Sequence, residues 1–188
     1  MNPDIAVEPA AAIAEVRRWY HCLEVAPGIV TPGLFDLRPV VARMPWPDVR
    51  GLRCLDVGTA DGFLAFELER RGAAEVVALD LAEPDDWDWE AHTAAVGPQY
   101  VRALFGSEVS AGLRTARELL GSAVQTVAGS VYDLEPASLG SFDVVVCGSL
   151  LLHLRDPLRA LAAIRSVCRG RLLCTNQLDL GRTVTHPR

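Results

Sequence analysis

From position 51 onward, short apolar runs alternate with segments in which apolar residues recur every three or four positions. The runs predict strands over 52–57, 75–79, 124–128, 142–147 and 171–175, because four to eight apolar residues between turn formers fit a buried strand. The longer periods predict helices over 63–71, closed by Gly72, and over 112–120. A further helix is signposted at both ends. Asp156 can cap it, Pro157 fits its first turn, Leu158, Leu161, Ala162, Ile164 and Val167 supply a core face, and Gly170 stops it. Strand, turn, helix and strand within about thirty residues is a βαβ unit. Its repetition predicts an α/β fold, a mostly parallel sheet with helices on both faces.

The first fifty residues have a different texture and read as an N-terminal helix and proline-rich arm, 1–50, ahead of the main domain, 51–188. Ile13, Val16, Tyr20 and Leu23 share one face of a helix predicted over 10–23, with Pro9 in its first turn. Trp19, Tyr20 and His21 fall on its buried side; a lid of aromatic rings over a cationic ligand is the other reading. Five prolines between 27 and 47 resist regular structure, while Val30, Leu34, Phe35, Val40, Val41, Met44 and Trp46 are expected to bury themselves as the arm lies over the domain.

Composition narrows the class. Half of the 188 residues are hydrophobic and 22% charged, which excludes a disordered or coiled-coil chain. A net charge of −6 gives no general attraction to nucleic acid or anionic lipid. Five scattered cysteines, Cys22, Cys54, Cys147, Cys168 and Cys174, read as buried free thiols of a cytoplasmic protein rather than a disulfide framework or a metal site. Positions 1–9 lack the pattern of a signal peptide, and no membrane partner is expected.

The candidate chemistry sits where the first strand of the main domain ends, in Asp56-Val57-Gly58-Thr59-Ala60-Asp61-Gly62. Glycines there let a ligand approach the backbone, and the helix that follows offers unpaired N–H groups. Asp80, ending the next strand, is placed to accept hydrogen bonds from ribose hydroxyls. A dinucleotide fingerprint fails, since the third required glycine position holds Phe63. A Walker loop is excluded because the chain has no lysine.

Leu55 to Phe63, followed by Asp80, resembles motifs I and II of the class I S-adenosylmethionine-dependent methyltransferases, a resemblance covering 51–175. Thr31-Pro32-Gly33, the 56–62 loop, the run 66–73 and Trp87-Asp88-Trp89 are further similar to a bacterial subgroup related to the wobble-uridine tRNA methyltransferases. The resemblance implies a Rossmann-like fold and S-adenosylmethionine as cofactor. By the same resemblance, Gly58, Thr59 and Gly62 approach its methionyl part, with Asp56 near the ammonium. Asp80 holds the ribose and Leu81 touches adenine. Ser130 and Val131 flank the adenine edge, with Asp133 as an alternative. Gly148 and Ser149 line the sulfonium. Ala60 replaces the commoner second glycine of the motif, and its small methyl is expected to be tolerated. Methyl transfer does not require a base; His153 is the candidate if there is one, or else a packed residue.

The implied activity is methyl transfer to an O or N nucleophile of a small molecule or tRNA. The family's antiparallel hairpin beside strand five cannot be built from 179–188, so an open apolar edge is expected. That edge implies a homo-oligomer covering it, a truncated chain, or a weakly active domain that serves as a binding partner.

Overall fold

The computed structural model describes residues 8–88, 99, 100, 102, 103 and 110–176. Five parallel strands form its centre: β3 (Arg53–Val57), β4 (Glu75–Asp80), β5 (Gln125–Ala128), β6 (Phe142–Gly148) and β7 (Cys168–Thr175). Their order is β5-β4-β3-β6-β7, so the chain starts in the middle, winds out to one side and returns to build the other. β3 and β6 lie next to each other, and their connections leave in opposite directions. That reversal opens a crevice at the carboxyl ends of the strands.

Helices cover both faces. On one, α3 (Phe63–Arg70) and α4 (Ala111–Leu120) bury Phe66, Leu68, Leu113 and Ala116 against Cys54, Val144 and Val146. On the other, α6 (Pro157–Val167) buries Ala160, Ile164 and Val167 against Leu55, Val57 and Val145. Asp156 caps α6 by accepting from the Arg159 amide at 2.9 Å, as its sequence predicts. Of the predicted core face Ile164 and Val167 are buried and Leu161 half-buried, whereas Leu158 is 76% exposed, Ala162 is exposed and Ala160 is buried in their place. Gly170 does not stop this helix either. α6 ends at Val167, and Gly170 lies within β7, where a side chain would put its Cβ 2.1 Å from the Asp143 carbonyl oxygen. A glycine read as a helix stop is therefore required by close strand approach.

The N-terminal region departs furthest from its prediction. Helix α1 (Pro9–Glu15) is half the expected length, and Val16 is already extended. The Trp19 indole donates to the Ile13 carbonyl at 3.2 Å and closes the helix end. Beyond it runs a small antiparallel hairpin, β1 (Glu24–Ala26) with β2 (Ile29–Val30). Ile13, Val16, Trp19 and Leu23 are all buried, so the apolar spacing marked a buried face that a helix does not create. In the arm, Val41, Met44 and Trp46 pack inward, while Leu34, Phe35 and Val40 are about half exposed. The short helix α2 (Arg38–Val41) lies there, and α5 (Pro136–Leu139) precedes β6.

Candidate functional site

The loop from Gly58 to Gly62 leaves β3 through three left-handed residues, Gly58 (φ 74°), Ala60 (φ 52°) and Gly62 (φ 90°). Its path is fixed by β4, since the Gly58 and Thr59 amides both donate to the Leu79 carbonyl, at 2.9 and 3.2 Å. Ala60 is one of two non-glycine residues with positive φ among the described residues; the other is Ser149, at the exit of β6. Both strained residues therefore stand at the rim of one crevice, where such strain is characteristic of ligand sites.

Asp80 explains how Ala60 is held. Its carboxylate accepts from the Ala60 amide at 2.6 Å and from the Leu81 amide at 2.8 Å, one bond to each oxygen. Each oxygen keeps a further lone pair for a ligand. Burial raises the Asp80 pKa above the usual carboxylate value, against the pull of the two amides.

Asp56, 1% exposed, accepts from the Thr59 hydroxyl at 2.7 Å through Oδ2. Its Oδ1 has no hydrogen-bond partner, and burial pushes its pKa up to about 6. An orphaned buried carboxylate oxygen is costly and calls for an explanation. A ligand cation beside it would supply one.

The remaining predicted residues fall around this core. Leu81 is half-buried directly after Asp80. Ser130 caps a single turn by accepting from the Tyr132 amide, whereas the Val131 side chain is buried in the core and offers only its backbone. Asp133 is exposed. Gly148 packs tightly on Leu64, which a Cβ would meet at 2.6 Å, and Ser149 donates its amide to Thr175 at 2.7 Å. His153 is exposed in the turn after β6, its amide donating to the Leu150 carbonyl. Trp89 lies outside the described residues.

Two groups of residues escaped the sequence reading. Asp61 ties the N-terminal arm to the loop: its Oδ2 accepts from the Tyr20 and His21 amides at 2.9 and 2.7 Å, and its Oδ1 faces His21 Nδ1 at 2.5 Å. Asp88 joins three loops, accepting from the Tyr132 hydroxyl at 2.5 Å, the Arg155 amide at 2.8 Å and Arg155 Nε at 2.7 Å. The acidic and aromatic character of 85–89 was a visible signal for Asp88. Nothing local to Asp61 points to a partner forty residues upstream.

The cysteines need one correction. Cys54, Cys147 and Cys168 are buried, but Cys22 is half-buried and Cys174 exposed. No group of three or more metal-ligating side chains occurs among the described residues. None of the described helices is long and apolar enough to cross a membrane. A depression of about 370 Å³ lined by Trp46, Asp48, Arg50 and Arg71 lies at the amino end of β3, away from the crevice.

These features fit one class, a Rossmann-like methyltransferase domain. The chain belongs to the methyltransferase domain family, which it matches over residues 35–183. It is 33% identical over 121 residues to a ubiquinone biosynthesis O-methyltransferase of Neisseria meningitidis serogroup C, covering 64% of this chain and 40% of that protein. A protein of the same name from Xanthomonas axonopodis pv. citri is 31% identical over 163 residues, 85% of this chain and 54% of its own length. The chain thus spans about half the length of these relatives. Among solved structures, the fold is shared with an S-adenosylmethionine-dependent methyltransferase from Mesorhizobium loti (TM-score 0.50, 18% identity, 75% of this chain and 52% of that one). It is shared also with the PH0226 protein from Pyrococcus horikoshii (TM-score 0.51, 18% identity, 80% and 58%).

Proposed function

We propose that this chain binds S-adenosylmethionine at the carboxyl ends of β3 and β4 and transfers its methyl group to a hydroxyl of a small aromatic acceptor. The observation that carries the reading is the Asp80 carboxylate, fixed by the Ala60 and Leu81 amides at the mouth of a strained glycine loop. Its remaining lone pairs suit two ribose hydroxyls. Asp56 Oδ1 suits the ammonium of the methionyl part, which would relieve its orphaned state. Gly58, Thr59 and Gly62 bring backbone close to that part. Leu81, Ser130 and the Val131 backbone border the adenine, and Gly148 the sulfur.

Bound S-adenosylmethionine supplies a methyl group already activated on a sulfonium. The chain's own task is then to hold the acceptor in line and keep water out. The choice of an oxygen acceptor rests on the names of the curated relatives, ubiquinone biosynthesis O-methyltransferases, and that of an aromatic ring on the ring chemistry of a quinone. Those names do not extend the resemblance to the wobble-uridine tRNA enzymes, and the net charge of −6 disfavours a polyanion.

A transfer assay with radiolabelled methyl donor tests the reading. Label is expected in 3,4-dihydroxybenzoate or a related catechol and none in bulk tRNA. Label in tRNA alone would reverse the acceptor class, and no label in either would leave a binding domain without turnover.

A further inference from the structure

Four rings step down from solvent to the donor loop. Phe35, 47% exposed, lies 4.9 Å from Tyr20; Tyr20 meets His21 edge-on at 4.8 Å; His21 lies 5.4 Å from Phe63, the first residue of α3. Such spacings are those of interacting aromatic pairs, and the ladder gives a planar ring a surface to pack on. It ends beside Asp61, within the loop that the proposed function gives to the methionyl part of the donor.

The third ring is chemically prepared. Asp61 Oδ1 engages His21 Nδ1 at 2.5 Å, and its other oxygen accepts the Tyr20 and His21 amides, so ring and backbone are both held by one carboxylate. With Nδ1 engaged, Nε2 points away from Asp61, and no hydrogen bond to it is present among the described residues. A carboxylate on one imidazole nitrogen fixes the tautomer and supports the cation formed when the other nitrogen takes a proton. Other acidic groups lie near the ring. Asp56 interacts electrostatically with His21, Asp80 with both Asp56 and Asp61, and the Tyr20 phenol is adjacent.

Resting on the proposed function, we infer that the arm is the acceptor wall. Phe35 and Tyr20 pack against a planar phenolic acceptor and His21, oriented by Asp61, takes its hydroxyl proton. The acceptor O–H proton passes to His21 Nε2 as the oxygen bonds to the methyl carbon. The carbon–sulfur bond breaks with its electron pair left on sulfur, giving an aryl methyl ether and a thioether. The imidazolium then loses its proton to water. His21 is the catalytic residue in this scheme, and Asp61 a positioning residue.

The test uses the full chain with 3,4-dihydroxybenzoate, alone and in the presence of S-adenosylhomocysteine. Calorimetry should show the phenol binding to the S-adenosylhomocysteine complex, with about tenfold weaker binding in Phe35→Ala. His21→Gln should lower kcat about 100-fold. In the same variant KM for the phenol and affinity for S-adenosylhomocysteine should change less than threefold, and the acidic limb of the pH–kcat profile should disappear. Asp61→Asn should lower kcat while leaving KM for the phenol little changed, because the ring loses the carboxylate that orients it. A His21→Gln enzyme with unchanged kcat and pH profile overturns the inference alone, as does a wild type that binds S-adenosylhomocysteine but neither binds nor methylates the phenol. A wild type that binds no S-adenosylhomocysteine overturns the function on which it rests.

Discussion

Asp56 and Ala60 are each held in a state that ordinary residues avoid, and both lead to measurable consequences. Burial raises the Asp56 pKa to about 6, so between pH 4 and 6 the folded protein binds a proton that the unfolded chain does not. Stability from this group is therefore fully present below about pH 4 and falls as pH rises to 6, by about 3 kcal/mol at most. Urea unfolding of wild type and Asp56→Asn at pH 4 and 7 should show the variant gaining relative stability at the higher pH. A ligand ammonium beside Oδ1 favours the charged carboxylate, so S-adenosylhomocysteine should release a proton from Asp56 near pH 5.5. Calorimetry in buffers of different ionisation enthalpy measures that release, and 5′-methylthioadenosine, which has no ammonium, should lack it. Ala60 has φ 52°, which costs a residue with a Cβ about 1 kcal/mol relative to glycine. Ala60→Gly should raise stability by about that amount, read from the shift in denaturation midpoint.

The elements differ in how legible they were. Strands and helices from 53 onward carry their own apolar period and caps, and the predicted bounds of β3, β4, β5 and β6 fall within one residue of the observed ones. The arm does not, because its conformation is set by partners distant in sequence. Asp61 holds the Tyr20 and His21 amides outside any helix, and Thr31 Oγ1 accepts from Leu23 and donates to the His21 carbonyl. The same applies to the site. The glycine loop and Asp80 were readable from spacing and from the resemblance, while the contribution of the arm required the fold. Gly33 shows how tightly the arm is folded: a Cβ there would lie 2.0 Å from the His21 carbonyl carbon. Gly33→Ala is expected to destabilise the protein by about 2 kcal/mol or more, as forced overpacking does. An unchanged thermal midpoint would show that the arm does not pack this way.

At the scale of the molecule, one parallel sheet places the strained loop of β3 beside the carboxylate ending β4, and Asp61 of that loop holds the aromatic arm. β7 forms one side of the sheet, with Arg171 and Leu172 exposed, and no described strand pairs with its outer edge. Sedimentation velocity decides the expectation of a second copy there, since a dimer supports it and a monomer removes it. The account as a whole depends on the crevice accepting an adenosyl amino acid. Titration of the purified chain with S-adenosylhomocysteine at pH 7.5, followed by calorimetry, measures this directly. Saturable one-to-one binding, weakened about 100-fold by Asp80→Ala through the loss of two charge-assisted hydrogen bonds, is the predicted result. Equal affinity in wild type and variant, or no heat of binding in either, would contradict it.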